Sequence, residues 1–160
     1  MRHNSHRLAG ISAERIRDEL VKTMNAEHPS RAFIVMHETG VLKYVLPELE
    51  EGFGMVQREL HRYDVFHHII YSCDFAEKDA ILRMTALLHD IGKPRCLEIR
   101  DGVPTFYRHE EISAEMAGEI LRRLRFSKSD ESHICHLIRY HMFHYTSDWS
   151  DSAVRRFVSK

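Results

Sequence analysis

The chain has 160 residues, 43% of them hydrophobic, which is enough for one folded domain with a hydrophobic core. Its 23 Lys and Arg residues nearly balance its 24 Asp and Glu residues, and this argues against a protein that coats polyanions or membrane surfaces. No apolar run approaches the roughly 20 residues that span a bilayer, and the N-terminal residues lack the apolar stretch of a signal peptide, so we expect a cytoplasmic protein.

Apolar residues that recur with a helical period predict helices through the first half of the chain. Ser12 and Ser30 are placed to cap two of these helices, and Gly40 is placed to end the second. The predicted elements are a helix over 12–25, a helix from Ser30 to about residue 38, a helical turn over 41–46 that ends at Pro47, a loop over 50–57, and helices over 64–76 and 79–91.

The second half of the chain predicts one small hairpin followed by further helices. Alternating residues flank Asp101 and Gly102, which signal a turn, but Pro104 limits the strands to an edge ribbon. The predicted elements are a hairpin over 97–106 and helices over 110–124, 129–142 and 151–159. Strands and helices do not alternate, so the fold class is all-α, a helical bundle with at most one β-hairpin. We expect a single domain over 8–160 after a tail over 1–7.

Cysteine and histidine content bears on metal chemistry. Cys73, Cys96 and Cys135 are odd in number and far apart, which argues against a disulfide framework and a zinc ribbon and predicts reduced thiols. The 13 histidines suggest a metal site, because imidazole is the commonest protein metal ligand, although a single unplaced histidine is more often a surface residue.

The sequence LLHDIGK, residues 87–93, places two polar side chains in an apolar helix. His89 and Asp90 are adjacent at a position where the neighbouring leucines predict burial. Burying an imidazole and a carboxylate together costs several kcal/mol unless each has a strong partner, and one divalent cation can be the partner of both. A metal is therefore the simplest explanation, with a buried His–Asp hydrogen bond as the alternative.

Three further histidines stand where a site could be built. Asp64 and His68 are four residues apart and share a face of a predicted helix, so both could meet one ion, or Asp64 could orient a ligand. His109 precedes one predicted helix and His141 ends another, although either could instead cap a helix or face solvent.

These residues resemble the HD superfamily of metal-dependent phosphohydrolases, in which a histidine, an adjacent His-Asp pair and a late aspartate recur. The resemblance extends to the HD-containing body of bacterial tRNA nucleotidyltransferases and poly(A) polymerases over roughly residues 8–160. The segments that carry it are ISAERIRDEL (11–20), GVLKYVLPEL (40–49), DVFHH (64–68), HEEISAEMAGEILRRLRFS (109–127), IRYH (138–141) and SDSAVRRF (150–157).

The resemblance implies two sets of metal ligands. The first set is His68, His89, Asp90 and a late aspartate, for which Asp151 is preferred to Asp148. The second set is His109 and His141. If both sets bind, Asp90 would bridge two cations. If only the first set binds, the site would hold one cation. An acidic residue in the first turn of a helix also stabilises the helix dipole, which is the structural alternative for Asp151. Imidazoles mixed with carboxylates suit iron, manganese, cobalt, nickel or zinc better than magnesium.

The implied activity is hydrolysis of a phosphomonoester or phosphodiester, such as a nucleotide, a cyclic phosphate or an RNA end, by a metal-activated hydroxide. Beside the bridging Asp90, Asp64 would orient the water and Lys93 would hold the phosphate. Arg95 and Arg108 are further candidates for phosphate contacts. Solvation at the protein surface is the alternative for these three cations.

Two other functions stay open at this stage. The resemblance also reaches HD-fold di-iron oxygenases, and an HD body could instead be a non-catalytic module that binds RNA or a partner protein. The nucleotidyl transfer of the tRNA-processing relatives needs an upstream head with a Gly-Ser turn and paired aspartates. This sequence has no such segment, so we expect no nucleotide addition by that mechanism. The chain would then be either a free-standing HD hydrolase or a fragment.

Overall fold

The computed structural model describes residues 10–57, 62–143 and 149–158. These residues form α-helices, one 3-10 helix and one two-stranded sheet, which confirms the predicted all-α class with a single small hairpin. The helices are α1 (Ala13–Met24), α2 (Ser30–Thr39), α3 (Leu42–Val45), α4 (Pro47–Glu50), α5 (Val65–Phe75), α6 (Ala80–Leu88), α7 (His109–Arg123), α8 (Lys128–Tyr140) and α9 (Asp151–Val158), with the 3-10 helix at Lys93–Cys96. None of these described helices is both long and apolar enough to cross a membrane.

The hairpin consists of β1 (Glu98–Arg100) and β2 (Val103–Thr105). The strands are antiparallel, and their register pairs Glu98 with Thr105, Ile99 with Pro104 and Arg100 with Val103. The turn between them uses positive φ angles of 53° at Asp101 and 78° at Gly102, as the sequence signal requires.

The predicted helix caps are correct at two positions and wrong at a third. The Ser12 hydroxyl accepts a hydrogen bond from the Arg15 amide at 3.4 Å, and Gly40 ends α2 with a φ of 72°. Ser30 does not cap α2 but is its first residue, because Asp74 of α5 takes the capping role. The Ser30 amide and hydroxyl donate to the Asp74 carboxylate at 3.0 and 2.6 Å.

Helix α6 ends at Leu88, three residues before the predicted end. The amide of Gly92, which could have continued the helix, instead donates to the Ser113 hydroxyl of α7 at 2.9 Å. The two backbones approach so closely that a Cβ atom on Gly92 would lie 2.6 Å from the Ser113 nitrogen. Packing against α7 therefore turns the chain away from the helix axis directly after Leu88.

The buried apolar side chains form one core that runs from Leu20 of α1 to Ile138 of α8. A buried arginine fastens α1 to this core. Arg83 of α6 is 4% exposed, and its Nη1 atom donates to the carbonyl oxygens of Met24 at 2.7 Å and Ala26 at 2.5 Å. Carbonyl groups at a helix C-terminus lack intrahelical donors, so the guanidinium supplies the missing partners.

Candidate metal centre

Five side chains that can bind metals meet where four helices begin or end. His68 lies in the first turn of α5, His89 directly follows α6, and Asp90 is the next residue. His109 is the first residue of α7, and His141 directly follows α8. Their ligand atoms form two groups of three in which all atoms lie within 4.8 Å of one another, namely His68, His89 and Asp90, and Asp90, His109 and His141.

Asp90 is the side chain that the two groups share. Its Oδ2 atom lies 3.1 Å from the Nε2 atoms of both His68 and His89. Its Oδ1 atom lies 3.2 Å from Nε2 of His109 and 3.7 Å from Nε2 of His141. The residue is 2% exposed, and its Oδ1 atom is buried without a hydrogen-bond partner. An unsatisfied buried charge is costly, so this oxygen is placed for a ligand.

Three of the imidazoles are anchored to the main chain by the same local geometry. In each, the Nδ1 atom donates to the carbonyl oxygen three residues earlier, His89 to Ala86 at 2.8 Å, His109 to Phe106 at 2.8 Å and His141 to Ile138 at 2.7 Å. A carbonyl oxygen can only accept, so Nδ1 carries the proton in these rings. In the neutral imidazole the Nε2 atom then has a free lone pair, which is the form that binds metals.

The Nε2 atoms face one another in pairs. Those of His109 and His141 are 3.3 Å apart, and those of His68 and His89 are also 3.3 Å apart. When His109 and His141 are both neutral, two lone pairs repel at this distance, and a divalent cation would replace the repulsion with two coordinate bonds. The donor chemistry and the unsatisfied Oδ1 atom of Asp90 therefore both fit a divalent metal.

Lys93 supplies the counter-charge to Asp90. Its Nζ atom lies 2.7 Å from Asp90 Oδ2 and donates to Gln57 Oε1 at 2.7 Å. The lysine is 7% exposed, and its Nζ atom lies 5.5 Å from the centroid of the Phe106 ring. A buried ion pair with a second hydrogen bond is held in place, so in this structure the ammonium orients Asp90. Lys93 also lines the cavity over these side chains, and the phosphate contact predicted for it stays a prediction.

The pKa shifts of Asp90 and His141 favour the protonation states that bind metals, whereas the pKa shift of His109 favours the protonated ring, whose Nε2 proton a metal would displace. Burial raises the pKa of Asp90, but the facing imidazoles of His109, His68 and His89 outweigh it and hold that pKa well below its ordinary value. Burial lowers the pKa of His109, and the contact with Asp90 raises it by more. Burial lowers the pKa of His141 overall. At neutral pH Asp90 is thus a carboxylate and His141 a neutral imidazole.

A cavity of about 390 Å³ opens over the five ligand atoms. Its wall continues beyond them into a mouth formed by residues from the β2–α7 connection and from the end of α8. The lining also includes the buried Thr105 of β2 and the partly buried Phe106, and the exposed Tyr107 and Met142 form the mouth. Tyr107 and Met142 are 59% and 61% exposed, so the entrance to the metal centre is apolar and open to solvent.

Asp64 lies outside both groups of ligand atoms, so the contact with the same ion predicted for it does not follow from these groups, and its role in orienting a ligand stays a prediction. It is the N-cap of α5 and has an extended backbone. Its carboxylate accepts from the amides of His67 at 2.7 Å and Gly54 at 2.8 Å. The side chain therefore closes the start of α5 and holds the preceding loop.

Asp151 is the exposed first residue of α9 and belongs to neither group, which leaves its role at the helix terminus. Asp148, the other late aspartate, lies outside the described residues. Arg95 pairs with Glu51 at 2.9 Å, and Arg108 pairs with Glu111. Neither arginine lines the cavity.

Sequence reasoning did not find Gln57, Tyr107 or Met142. Gln57 lies in a predicted loop, and nothing in its local pattern indicates that it reaches Lys93 across 36 positions of sequence. For the mouth a signal existed, since Phe106 and Tyr107 are adjacent aromatic residues just before His109.

Two protein-family models match the chain. The HD domain model matches residues 49–156, a range that contains all five candidate ligand side chains. A model described as the probable RNA and SrmB-binding site of polymerase A matches residues 1–53. The two ranges meet at α4. The polymerase A model therefore covers α1 and α2, which Arg83 and Asp74 of the HD range fasten to the rest of the fold.

The curated relatives of this chain include tRNA nucleotidyltransferases and CCA proteins. The A-adding tRNA nucleotidyltransferase of Deinococcus radiodurans is 35% identical over 155 residues, which cover 92% of this chain and 35% of that protein. The Multifunctional CCA protein of Chromobacterium violaceum is 34% identical over 136 residues, covering 82% of this chain and 33% of that protein. The chain thus spans about a third of the length of these relatives. These matches confirm the resemblance drawn from the motifs, and the chain belongs to the HD domain family.

Proposed function

We propose that the chain is a metal-dependent phosphohydrolase that cleaves a phosphomonoester or phosphodiester, such as a nucleotide, a cyclic phosphate or an RNA end. The observation that carries this proposal is the buried Oδ1 atom of Asp90, which has no hydrogen-bond partner and faces the Nε2 atoms of His109 and His141. Membership of the HD domain family supports the same chemistry.

Asp90 with His68 and His89 would hold one divalent cation, and Asp90 with His109 and His141 would hold a second. Bound divalent cations supply Lewis-acid chemistry, since they lower the pKa of water and neutralise charge on phosphoryl oxygens. Four imidazoles and one carboxylate favour iron, manganese, cobalt, nickel or zinc over magnesium.

The protein's own groups give this centre its rigidity. The three Nδ1 hydrogen bonds to the main chain fix the ring orientations, so little side-chain freedom is lost when ligands engage. Lys93 holds Asp90 by its Oδ2 atom, which keeps Oδ1 turned toward His109 and His141. The burial of Asp90 keeps bulk water from competing for its oxygens.

Hydrolysis assays test the proposal directly. Bis-p-nitrophenyl phosphate and p-nitrophenyl phosphate are assayed with manganese, iron, cobalt, nickel, zinc and magnesium, each beside an EDTA control. We expect metal-dependent turnover that falls by about 100-fold in Asp90→Asn, because both ligand groups lose the negative charge of the carboxylate that they share. His133→Asn is the matched control, since His133 is an exposed histidine of α8 outside both groups.

Silence with both esters and every metal, in protein whose metal content has been verified by mass spectrometry, would contradict the phosphohydrolase. Parallel assays in air and under nitrogen separate it from the di-iron oxygenase. Equal hydrolysis rates in the two atmospheres exclude an oxygen requirement, whereas oxygen uptake without ester hydrolysis would favour the oxygenase.

RNA binding is a second role, and the family match of residues 1–53 favours it. Fluorescence anisotropy with a labelled tRNA at two salt concentrations measures this role, because contacts to phosphates weaken as salt rises. Arg15→Glu, at an exposed position of α1, should weaken binding several-fold, while Lys78→Glu, at an exposed position between α5 and α6, serves as the control outside the matched range. Identical affinity of both variants and the wild type would argue against α1 as the RNA contact.

A further inference from the structure

The mouth of the metal-centre cavity has apolar side chains that metal binding does not use. Tyr107 and Met142 line the cavity and are 59% and 61% exposed. They come from different segments, Tyr107 from the connection between β2 and α7 and Met142 from the residues after α8. Large apolar groups at the mouth of a site gain free energy when a ligand covers them.

We propose that this mouth is a stacking site for the nucleobase of a nucleoside phosphate whose phosphoester lies at the five metal ligands, an inference that rests on the proposed function. A nucleobase offers a flat aromatic face, which suits the phenol ring of Tyr107 and the thioether of Met142. A sugar phosphate or an alkyl phosphate has no such face. The substrate class is therefore a nucleotide, free or at the end of an RNA.

Arg100 prepares the ring of Tyr107 for stacking. The guanidinium carbon of Arg100 lies 4.5 Å from the centroid of that ring and so covers one of its faces. Arg100 in turn donates to the Glu98 carboxylate at 3.0 and 2.7 Å. Arg100 thus holds the ring from the hairpin, while Tyr107 still lines the cavity and keeps 59% of its surface exposed.

The size and charge of the cavity agree with a nucleotide. Its volume of about 390 Å³ falls within the range of about 300–1,000 Å³ that is usual for small-molecule sites. Among the described residues that line it, Asp90 is the only carboxylate, and Lys93 neutralises that charge. An anionic phosphate meets no further negative side chain on this wall.

Matched ester pairs test the stacking site in the metal-loaded protein. Adenosine 5′-monophosphate is compared with ribose 5-phosphate, and adenosine 2′,3′-cyclic phosphate with glycerol 1,2-cyclic phosphate. We expect Tyr107→Ala to lower the ratio of kcat/KM values, nucleoside ester over base-free ester, by about 5- to 100-fold, as loss of one base stack predicts. Tyr107→Phe should restore the ratio. Tyr44→Ala removes an exposed tyrosine of α3 that does not line the cavity and is the control.

A trinucleotide ending in a 2′,3′-cyclic phosphate, compared with the same glycerol ester, distinguishes an RNA terminus from a free nucleotide. The substrate whose ratio falls in Tyr107→Ala identifies the source, and an unchanged ratio for all nucleoside esters would overturn the stacking site while leaving the phosphohydrolase intact. Binding of fluorescent ethenoadenosine monophosphate, measured by anisotropy, requires no turnover. If Tyr107→Ala abolishes that binding while the wild type hydrolyses nothing, the stacking site stands and the proposed function fails.

Discussion

The Nε2 atoms of His109 and His141 lie 3.3 Å apart beside the buried Oδ1 atom of Asp90. Both rings give their Nδ1 protons to carbonyl oxygens, so their facing nitrogens have no proton to share in the neutral state. In that neutral state three lone-pair atoms directed at one small space repel one another, and a bound cation would remove that repulsion.

Asp90→Asn should weaken metal binding at both groups of ligand atoms, because the carboxylate is the donor they share. Isothermal titration with manganese should show affinity reduced by at least about tenfold, with the helical circular dichroism signal retained. His133→Asn should bind as the wild type does. Unchanged affinity and stoichiometry in Asp90→Asn would remove Asp90 from the metal centre.

Lys93→Met should destabilise the metal-free protein and should do so much less when a divalent cation is present. Without the ammonium, Asp90 is a buried charge without a counter-ion, and breaking such a pair costs about 3–5 kcal/mol. A cation at the same carboxylate restores the balance. Urea unfolding in EDTA and in manganese measures the two free energies of unfolding.

The double variant Lys93→Met with Asp90→Asn separates charge from packing. It should recover most of the stability lost in EDTA, because it removes the isolated charge together with its partner. Equal destabilisation of Lys93→Met with and without manganese would show that the lysine acts by packing alone.

Gly92→Ala should lower the melting temperature. A Cβ atom there would lie 2.6 Å from the Ser113 nitrogen and 2.9 Å from its hydroxyl oxygen, so α7 would have to move away from the turn after α6. Such overpacking costs about 1–3 kcal/mol, or roughly 2–10 °C for a chain of this size. Gly10→Ala, where no atom lies within 4 Å of the added carbon, should melt like the wild type in differential scanning calorimetry.

Local sequence signals predict most of the fold because most helix ends here are set locally. Ser12 and Gly40 act on their own helices, and both were correctly predicted. The errors arise where tertiary contacts decide. Asp74 replaces Ser30 as the cap of α2, and Ser113 takes the amide of Gly92 away from α6. Neither partner is near in sequence, so helical periodicity has no information about it.

In the candidate site, too, local motifs predict some residues, and contacts between distant segments determine others. The motifs single out the five ligand side chains that the structure brings together, and their binding of metal stays a prediction. Asp64 shows the limit of spacing arguments, because its carboxylate accepts from the amides of His67 and Gly54 as the N-cap of α5 and belongs to neither ligand group. The buried contact of Lys93 with Gln57 and the position of Met142 at the cavity depend on packing between distant segments.

Arg83→Met should lower the free energy of unfolding by about 2–4 kcal/mol, because the Met24 and Ala26 carbonyl groups lose a charged donor. Urea unfolding followed by circular dichroism measures this loss, with the exposed Arg15→Met of α1 as control. Arg83 does not line the cavity, so manganese affinity of the folded variant should equal that of the wild type. Loss of manganese binding at full stability would instead make Arg83 part of the metal centre. Reduced stability with normal metal affinity would show that Arg83 fastens the helices matched by the RNA-binding model without shaping the site.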